Sequence, residues 1–404
     1  MGGHLGERLP APVLARIRSD FLAVCDYIFL DIASCAPLSN SVHAAISSHI
    51  SDLEYGFDKS KAMEWVERAR AQYAELINAN PADIALTKNV SEGLNLVASA
   101  IDWRRGDNVV VCPALEHLNN RYLWHNLAQQ KGVELRLISP TDNAYPLERM
   151  IAAIDSRTRL VTLSSVSYVP GFLTPLEEIA DVCRRRDILL LIDAAQSVGP
   201  LHTDVQAMGA GALAVTTQKG LLGVYGLGFL YVDPRWSERL TPQHVARFGV
   251  DEKKMTHAGV MQEPIQWRIG ARRFDLGNHN LIAAIAASES LKLLLSVGTK
   301  AIQDHTVGLA TELSGGLERL GMPVCKPSTQ SEQAHVVALG SVLPAPNGAE
   351  FKTLLAMHEY LTQNCVRSSW RNGILRFSFH LFNSDEDIEA VLKLVQKFTQ
   401  TARQ

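Results

Sequence analysis

Short apolar runs alternate with longer amphipathic stretches through the middle of the chain. The runs at 84–87, 108–112, 134–138, 159–163, 188–192, 213–215 and 228–232 predict strands. Several are near-continuous Val, Ile and Leu, the pattern of strands buried on both faces. Between them, residues 63–78 predict a helix. Val66, Ala69, Tyr73, Leu76 and Ile77 recur at helical spacing, while Glu64, Glu67, Arg68 and Arg70 fall off that stripe. Strands that alternate with helices build an α/β fold, here a mostly parallel central sheet with helices on both faces. After about residue 281 the texture changes to long helices, a strand-like segment at 375–379 and a final helix from Asp385. This places a domain boundary near residue 290. A large domain of residues 20–289 is expected, with a smaller α+β domain from 1–19 and 290–404.

The length of 404 residues, 47% of them hydrophobic, agrees with two cores. With 39 basic and 42 acidic residues the formal charge is −3, and no basic tail or stripe stands out. A nucleic-acid grip by phosphate neutralisation and an anionic-membrane anchor are therefore both excluded as expectations. The richest apolar run, Ile188-Leu189-Leu190-Leu191-Ile192, stops at Asp193, far short of the roughly 18 residues a membrane span needs. The N-terminus lacks a charged-then-apolar signal, and Gly6 stands where a myristoylation signal wants Ser or Thr. The six cysteines are scattered, with no CxxC pair and no His-rich cluster. They read as reduced, cytoplasmic thiols and not as a disulfide frame or a metal site. Gly209-x-Gly211-x-x-Ala214 fits a loose dinucleotide fingerprint but precedes a strand where that fingerprint requires a helix, so it is rejected.

In an open parallel sheet, ligands sit outside the carboxyl ends of the strands. Asp193 ends the run Leu191-Ile192, and a carboxylate there is costly to bury alone. It is either a helix N-cap or the partner of a buried cation such as a protonated heterocycle. Lys219 follows the next strand and precedes a turn rich in glycine (Gly220, Gly223, Gly226, Gly228). It is either a surface lysine or a crowded amine of lowered pKa, suited to Schiff-base chemistry. The two are 26 residues apart on successive strand ends, so they can hold opposite ends of one flat cofactor. Thr216 and Gln218 add polar groups within reach of a phosphate.

This Asp-x-x-Gln, followed by a lysine, a Gly-rich turn and Phe-Leu-Tyr-Val, resembles the class V aminotransferase family of fold-type I pyridoxal phosphate (PLP) enzymes. That family includes cysteine desulfurases, selenocysteine lyases and isopenicillin N epimerase-like proteins. The likeness runs from about Phe29 to the final helix. It implies that Lys219 binds PLP covalently and acts at Cα, that Asp193 pairs with the ring nitrogen, and that Gln196 bonds the ring 3-oxygen. It also implies a phosphate loop at Val90 and Ser91, which stands physically as a helix N-terminus or, alternatively, as an ordinary capped helix. His117 in Glu116-His117-Leu118-Asn119-Asn120 is expected to stack on the ring and relay protons.

Tyr168 stands where desulfurases usually carry Asn, which separates this chain from them. Its hydroxyl is expected to contact the ring oxygen or its ring to pack beside it. Arg376 lies in a period-2 strand with Ser378 and His380 on one face. The resemblance gives it the substrate α-carboxylate, against the reading of a surface arginine on an edge strand. Asn278 falls in a segment that resembles the family's stretch crossing a dimer interface to the partner's phosphate, and that resemblance implies a homodimer with composite sites. Cys365, in the stretch before Arg376, is read as a buried structural thiol and not a persulfide carrier. The expected activity is a C–S β-lyase on cysteine or a cysteine S-conjugate. The alternatives are an epimerase, an aminotransferase or a decarboxylating deaminase on the same scaffold. Specificity is expected in segments 55–59 and 244–267.

Overall fold

The computed structural model describes residues 7–251, 264–341 and 348–401. Part of the expected specificity segment 244–267, and residues 1–6 of the expected small domain, lie outside these.

Among the described residues twelve strands form three sheets. They are β1 (Ile28–Phe29), β2 (Ile84–Thr87), β3 (Asn108–Val111), β4 (Glu134–Leu137), β5 (Thr158–Ser164), β6 (Leu189–Asp193), β7 (Ala212–Thr216), β8 (Gly228–Val232), β9 (Val336–Leu339), β10 (Val366–Arg367), β11 (Ser369–Arg371) and β12 (Ile374–Ser378). The main sheet has the order β2-β8-β7-β6-β5-β3-β4. Strands β4, β3, β5, β6 and β7 pair in parallel, and β8 runs against both of its neighbours. The reversal has a local cause. Only residues 217–227 join β7 to β8, with no helix among them, whereas a parallel return needs a crossover of about a dozen residues or more.

Alternation within each strand feeds two separate cores. Val110, Val161, Leu163, Leu190, Ile192, Leu213 and Val215 point into one cluster. Their neighbours Val109, Val111, Leu160, Leu189, Leu191, Ala212 and Ala214 point into the other. This is why the runs read as continuous apolar sequence. The longer helices are α1 (Ala11–Ser19), α2 (Asn40–Glu54), α3 (Lys59–Leu76), α4 (Val90–Ala100), α5 (Asn119–Lys131), α6 (Glu177–Arg185), α7 (Leu281–Val297), α8 (Thr299–Arg319), α9 (Ala349–Gln363) and α10 (Asp385–Thr401). Helices α3 and α7 cover the first face, and α4 lies on the second. No single helix among the described residues is long and apolar enough to cross a membrane.

A second body is built on the antiparallel sheet β11-β12-β9, whose core takes Leu309, Leu313 and Leu317 of α8, Met357 of α9 and Val391 of α10. Residue 290, where the sequence texture suggests a boundary, lies inside α7. The alanine-rich face of α7 (Ala283, Ala284, Ala287) packs on the main sheet, and the chain breaks at Gly298 with φ +90°. The N-terminal segment touches both bodies. Leu9 and Ile17 pack in the main core, while Arg8 pairs with Asp385 and Glu312. Residues 28–31 also join the second body, since β1 pairs with β10 and Asp31 bridges to Ser378, while Phe29 packs against the main core.

The loop after β7 is held by a close backbone crossing. A Cβ on Gly220 would lie 2.4 Å from the Val198 carbonyl oxygen and 2.4 Å from Pro200 Cδ. Opposite it, Gly199 adopts φ +109°. Gly220→Ala is expected to destabilise the apoprotein by about 1–3 kcal/mol through this overpacking. Denaturant unfolding measures it, and a wild-type midpoint would show that the loop yields at no cost.

Candidate active site

The carboxyl ends of β2, β5, β6 and β7 converge on a cavity of about 530 Å³. That falls within the roughly 300–1,000 Å³ of small-molecule sites. Of the residues expected from sequence, Val90, Ser91, His117, Tyr168, Asp193, Gln196, Thr216, Gln218, Lys219 and Arg376 all line it. Asn278 does not. It occupies a turn just before α7 with φ +44°, away from the cavity of its own chain.

Lys219 and Asp193 share the cavity wall. Burial brings the Lys219 amine down to about 8, against the pull of Asp193, and Arg376 and Arg371 push the same way. Burial likewise raises the Asp193 carboxyl, opposed by the Ala195 N–H and by Lys219. One Asp193 oxygen, Oδ1, accepts the Ala195 N–H at 2.9 Å within a turn; no helix begins there, so the N-cap reading is corrected and the cavity-facing one stands.

The lysine loop is fixed on two sides. Ala36 N–H donates to the Gln218 carbonyl at 2.7 Å, and His380 Nε2 donates to the Gly220 carbonyl at 2.8 Å. His380 Nδ1 accepts the Leu381 N–H at 2.7 Å, which fixes that tautomer. Thr216 Oγ1 donates to Gln218 Oε1, joining the two polar residues before the lysine.

Helix α4 begins at the end of β2. Asn89 caps it by accepting the Glu92 N–H at 3.0 Å, and its own carbonyl takes the Gly93 N–H. The first-turn N–H groups of Val90 and Ser91 then remain at the positive end of the helix, at the cavity both residues line. Asn119 Nδ2 donates to Ser91 Oγ at 2.7 Å and ties this turn to the His117 loop. His117 Nδ1 accepts the Asn119 N–H at 3.2 Å, which leaves Nε2 as its proton-bearing nitrogen. Burial lowers its pKa, with Lys219, Arg371 and Arg376 adding to the effect, so the imidazole is neutral at pH 7.

Arg376 is 1% exposed on β12, the central strand of its sheet. The edge-strand reading is thereby corrected: β9 and β11 flank it on both sides. Its Nε donates to Ser369 Oγ at 3.1 Å and its Nη1 to the Tyr168 carbonyl at 2.6 Å. Burial lowers its pKa to about 10, so it stays charged. Tyr168 thus seats Arg376 through its backbone, and its ring meets His117 edge-on at 4.9 Å between centroids.

Cys365 requires a second correction. It is exposed, in a left-handed turn at φ +59° that closes α9 just before β10. Val366, the next residue, takes the inward position. Sequence reasoning also missed Ala33, Ser34, Lys88 and Tyr225, all of which line the cavity. Arg371 belongs with them; its Nη2 donates to Ser34 Oγ at 3.0 Å, and Ser34 Oγ donates to Asp31 at 2.7 Å. The long-range bridge of Asp31 to Ser378 delivers this segment, and no local pattern announces it.

Two buried polar atoms of the cavity residues, Gln196 Oε1 and Arg376 Nη2, have no hydrogen-bond partner. Such orphans are costly unless a ligand meets them. Together with a deprotonatable lysine, an opposed carboxylate and free helix N–H groups, they fit a flat phosphorylated heterocycle and an anionic substrate. The fold and cavity define a fold-type I PLP-dependent enzyme.

The chain matches the family described as aminotransferase class-V over residues 28–391, and it belongs to that family. A probable cysteine desulfurase of Pyrococcus abyssi is 28% identical over 355 residues, covering 85% of each chain. Among solved structures, the apo cysteine desulfurase of Thermococcus onnurineus superposes with a TM-score of 0.81 at 23% identity, covering 99% of this chain and 100% of the other. The cystine C–S lyase C-DES, in complex with its product cysteine persulfide, gives 0.83 at 23% identity over 94% and 99%. Pyridoxal phosphate is the cofactor of this chain.

Only the neutral amine attacks an aldehyde, so capture of PLP by the apoprotein is expected to accelerate with pH through about 8. Stopped-flow absorbance across pH gives the midpoint. A midpoint near the unperturbed lysine value of about 10.4 would remove the desolvation argument.

Proposed function

We propose that this chain is a PLP-dependent C–S lyase acting at Cβ of cysteine or a cysteine S-conjugate. The carrying observation is that Lys219, Asp193 and an arginine with an unengaged guanidinium nitrogen line a single cavity. The relatives' names, cysteine desulfurase and cystine C–S lyase, support the same bond.

When bound, PLP supplies an electron sink that weakens the bonds at the substrate Cα. Lys219 holds it through Nζ and, once released, moves the proton at Cα. Asp193 would supply the anion for the ring nitrogen, and Gln196 would bond the ring oxygen. The Val90 and Ser91 N–H groups would take the phosphate with the Gln218 amide, which Thr216 orients by donating to its Oε1. His117, neutral with a proton on Nε2, would pack on the ring and relay protons. Arg376 offers Nη2 to the α-carboxylate, its other nitrogens being spent on Ser369 and Tyr168.

The placement of Asn278 outside its own cavity supports a homodimer in which it reaches the partner's phosphate. The exposed apolar side chains Tyr225, Ile269 and Tyr122 suit such a face. The natural domain division is at Gly298. Of the described residues, 20–297 form the PLP-binding body and 298–401 the smaller one, with 7–19 touching both. Six free cysteines, two of them exposed, suit a cytoplasmic setting.

Exposure of Cys365 favours one second reading, a desulfurase that passes sulfur to this thiol. Cys365 does not line the cavity, which ranks this reading below direct release.

Incubated with cystine or S-conjugates and no amino acceptor, the enzyme is expected to yield keto acid and ammonia in equal amounts, with thiol or persulfide. Turnover that demands an added keto acid would instead establish a transaminase. Cys365→Ser is expected to leave product formation unchanged, and its loss would favour the desulfurase. Arg376→Ala is expected to raise KM by about tenfold or more with a smaller change in kcat, from a lost charge-assisted contact. A loss confined to thermal stability would make Arg376 purely structural.

A further inference from the structure

Glu116 directly precedes the cavity residue His117 and is 3% exposed. Three neutral donors converge on it. Tyr145 Oη donates to Oε1 at 2.6 Å, Ser164 Oγ to Oε2 at 2.7 Å and Asn120 Nδ2 to Oε2 at 2.8 Å. None of these partners carries a positive charge. A carboxylate so placed is expensive, and packing alone does not require one.

Its position relative to Asp193 gives it a use. Ser164 and Asp193 stand opposite each other in the parallel register of β5 and β6, and both line the cavity. A serine hydroxyl has one proton and two lone pairs. With the proton committed to Glu116, Ser164 can only accept from the cavity. Ser164, the strand neighbour of Asp193, then offers the cavity an acceptor.

We infer that Glu116 is a positioning residue that orients the Ser164 hydroxyl, so that the cavity wall around Asp193 favours a protonated ring nitrogen. This rests on the reading that Asp193 holds the PLP ring nitrogen, and deepens it.

The surrounding groups allow Glu116 to switch. Burial brings its carboxyl up to about 7, with the Asp193 charge pushing the same way and Tyr145, Asn120 and Ser164 opposing. Tyr145 is pushed well up by burial and by Glu116, and Cys112 is raised to about 12, so both stay neutral. Arg149 and Lys219 are the nearby cations, acting on Cys112 and Asp193 respectively. Above its midpoint Glu116 is an anion and Ser164 an acceptor. Below it, the protonated carboxyl donates to Ser164 and frees the serine proton to face the cavity. Affinity for a ring-protonated ligand therefore rises with pH through this transition.

The test uses pyridoxine 5′-phosphate, whose alcohol cannot link to Lys219, titrated into the apoprotein by intrinsic fluorescence between about pH 6 and about pH 8. Ionisation of the ligand phosphate is common to all variants and cancels in the comparison. The ratio of wild-type to Glu116→Gln affinity is expected to climb from near one to on the order of tenfold, the equivalent of one pKa unit. Glu116→Asp should restore part of the slope, and Ser164→Ala should flatten it. A ratio constant with pH would overturn the inference and leave Glu116 a structural residue. If Glu116→Gln does not fold, Tyr145→Phe replaces it. Loss of that donor should move the transition to higher pH, and an unmoved transition overturns the inference equally. Borohydride trapping of PLP on Lys219 in the same proteins separates the two levels. No trapping in wild type defeats the cofactor assignment, whereas normal trapping with a flat ratio defeats only the role of Glu116.

Discussion

The chemistry depends on the partial desolvation of one amine opposite one carboxylate. Lys219 loses solvation at the end of β7, and Asp193 loses it at the end of β6. Each softens the other's cost, but neither is fully compensated. A parallel sheet makes this affordable in geometric terms. Neighbouring strands deliver their carboxyl ends to the same edge, so two chain segments far apart in sequence arrive side by side with no special loop. The reversed strand β8 closes the edge and forces the lysine into a short, glycine-lined turn.

Around that pair the charges are graded. Arg376 sits deep, engaged on two of its three nitrogens, and Arg371 sits further out on the neighbouring strand β11. Both lower the Lys219 pKa, and both lower that of His117. The cationic side of the cavity therefore draws in an anionic substrate and shifts both the general base and the imidazole toward their neutral forms. Asp31 tempers this field from behind, through Ser34 on one side and its proximity to Arg376 on the other.

Much of this was legible in sequence, for identifiable reasons. Strands buried on both faces announce themselves as Val–Ile–Leu runs, and their last residues are the site. Asp193, Thr216 and Ser164 could thus be located by counting, and Lys219 by the glycines after it. Contributions that arrive through tertiary bridges carry no such mark. Ala33 and Ser34 enter the cavity because Asp31 meets Ser378, a pairing invisible to local pattern. The boundary expected near 290 falls inside α7, because an alanine-rich helix looks alike whether it packs on the first core or the second. Cys365 was read as inward because it stands in a strand-like run, but a left-handed turn before β10 turned the register by one residue. Glu116 was quoted only as part of its motif, since burial and partners cannot be read from a letter.

The two braces on the lysine loop have a consequence for biosynthesis. One comes from Ala36 and the other from His380, near opposite ends of the chain. As the polypeptide leaves the ribosome, the main sheet can collapse once β8 has emerged. The loop between its last two strands then waits, half-clamped, until more than a hundred further residues have been translated. Polypeptides released early would carry the reactive amine without its imidazole brace, and would meet coenzyme only as a loosely organised aldehyde trap.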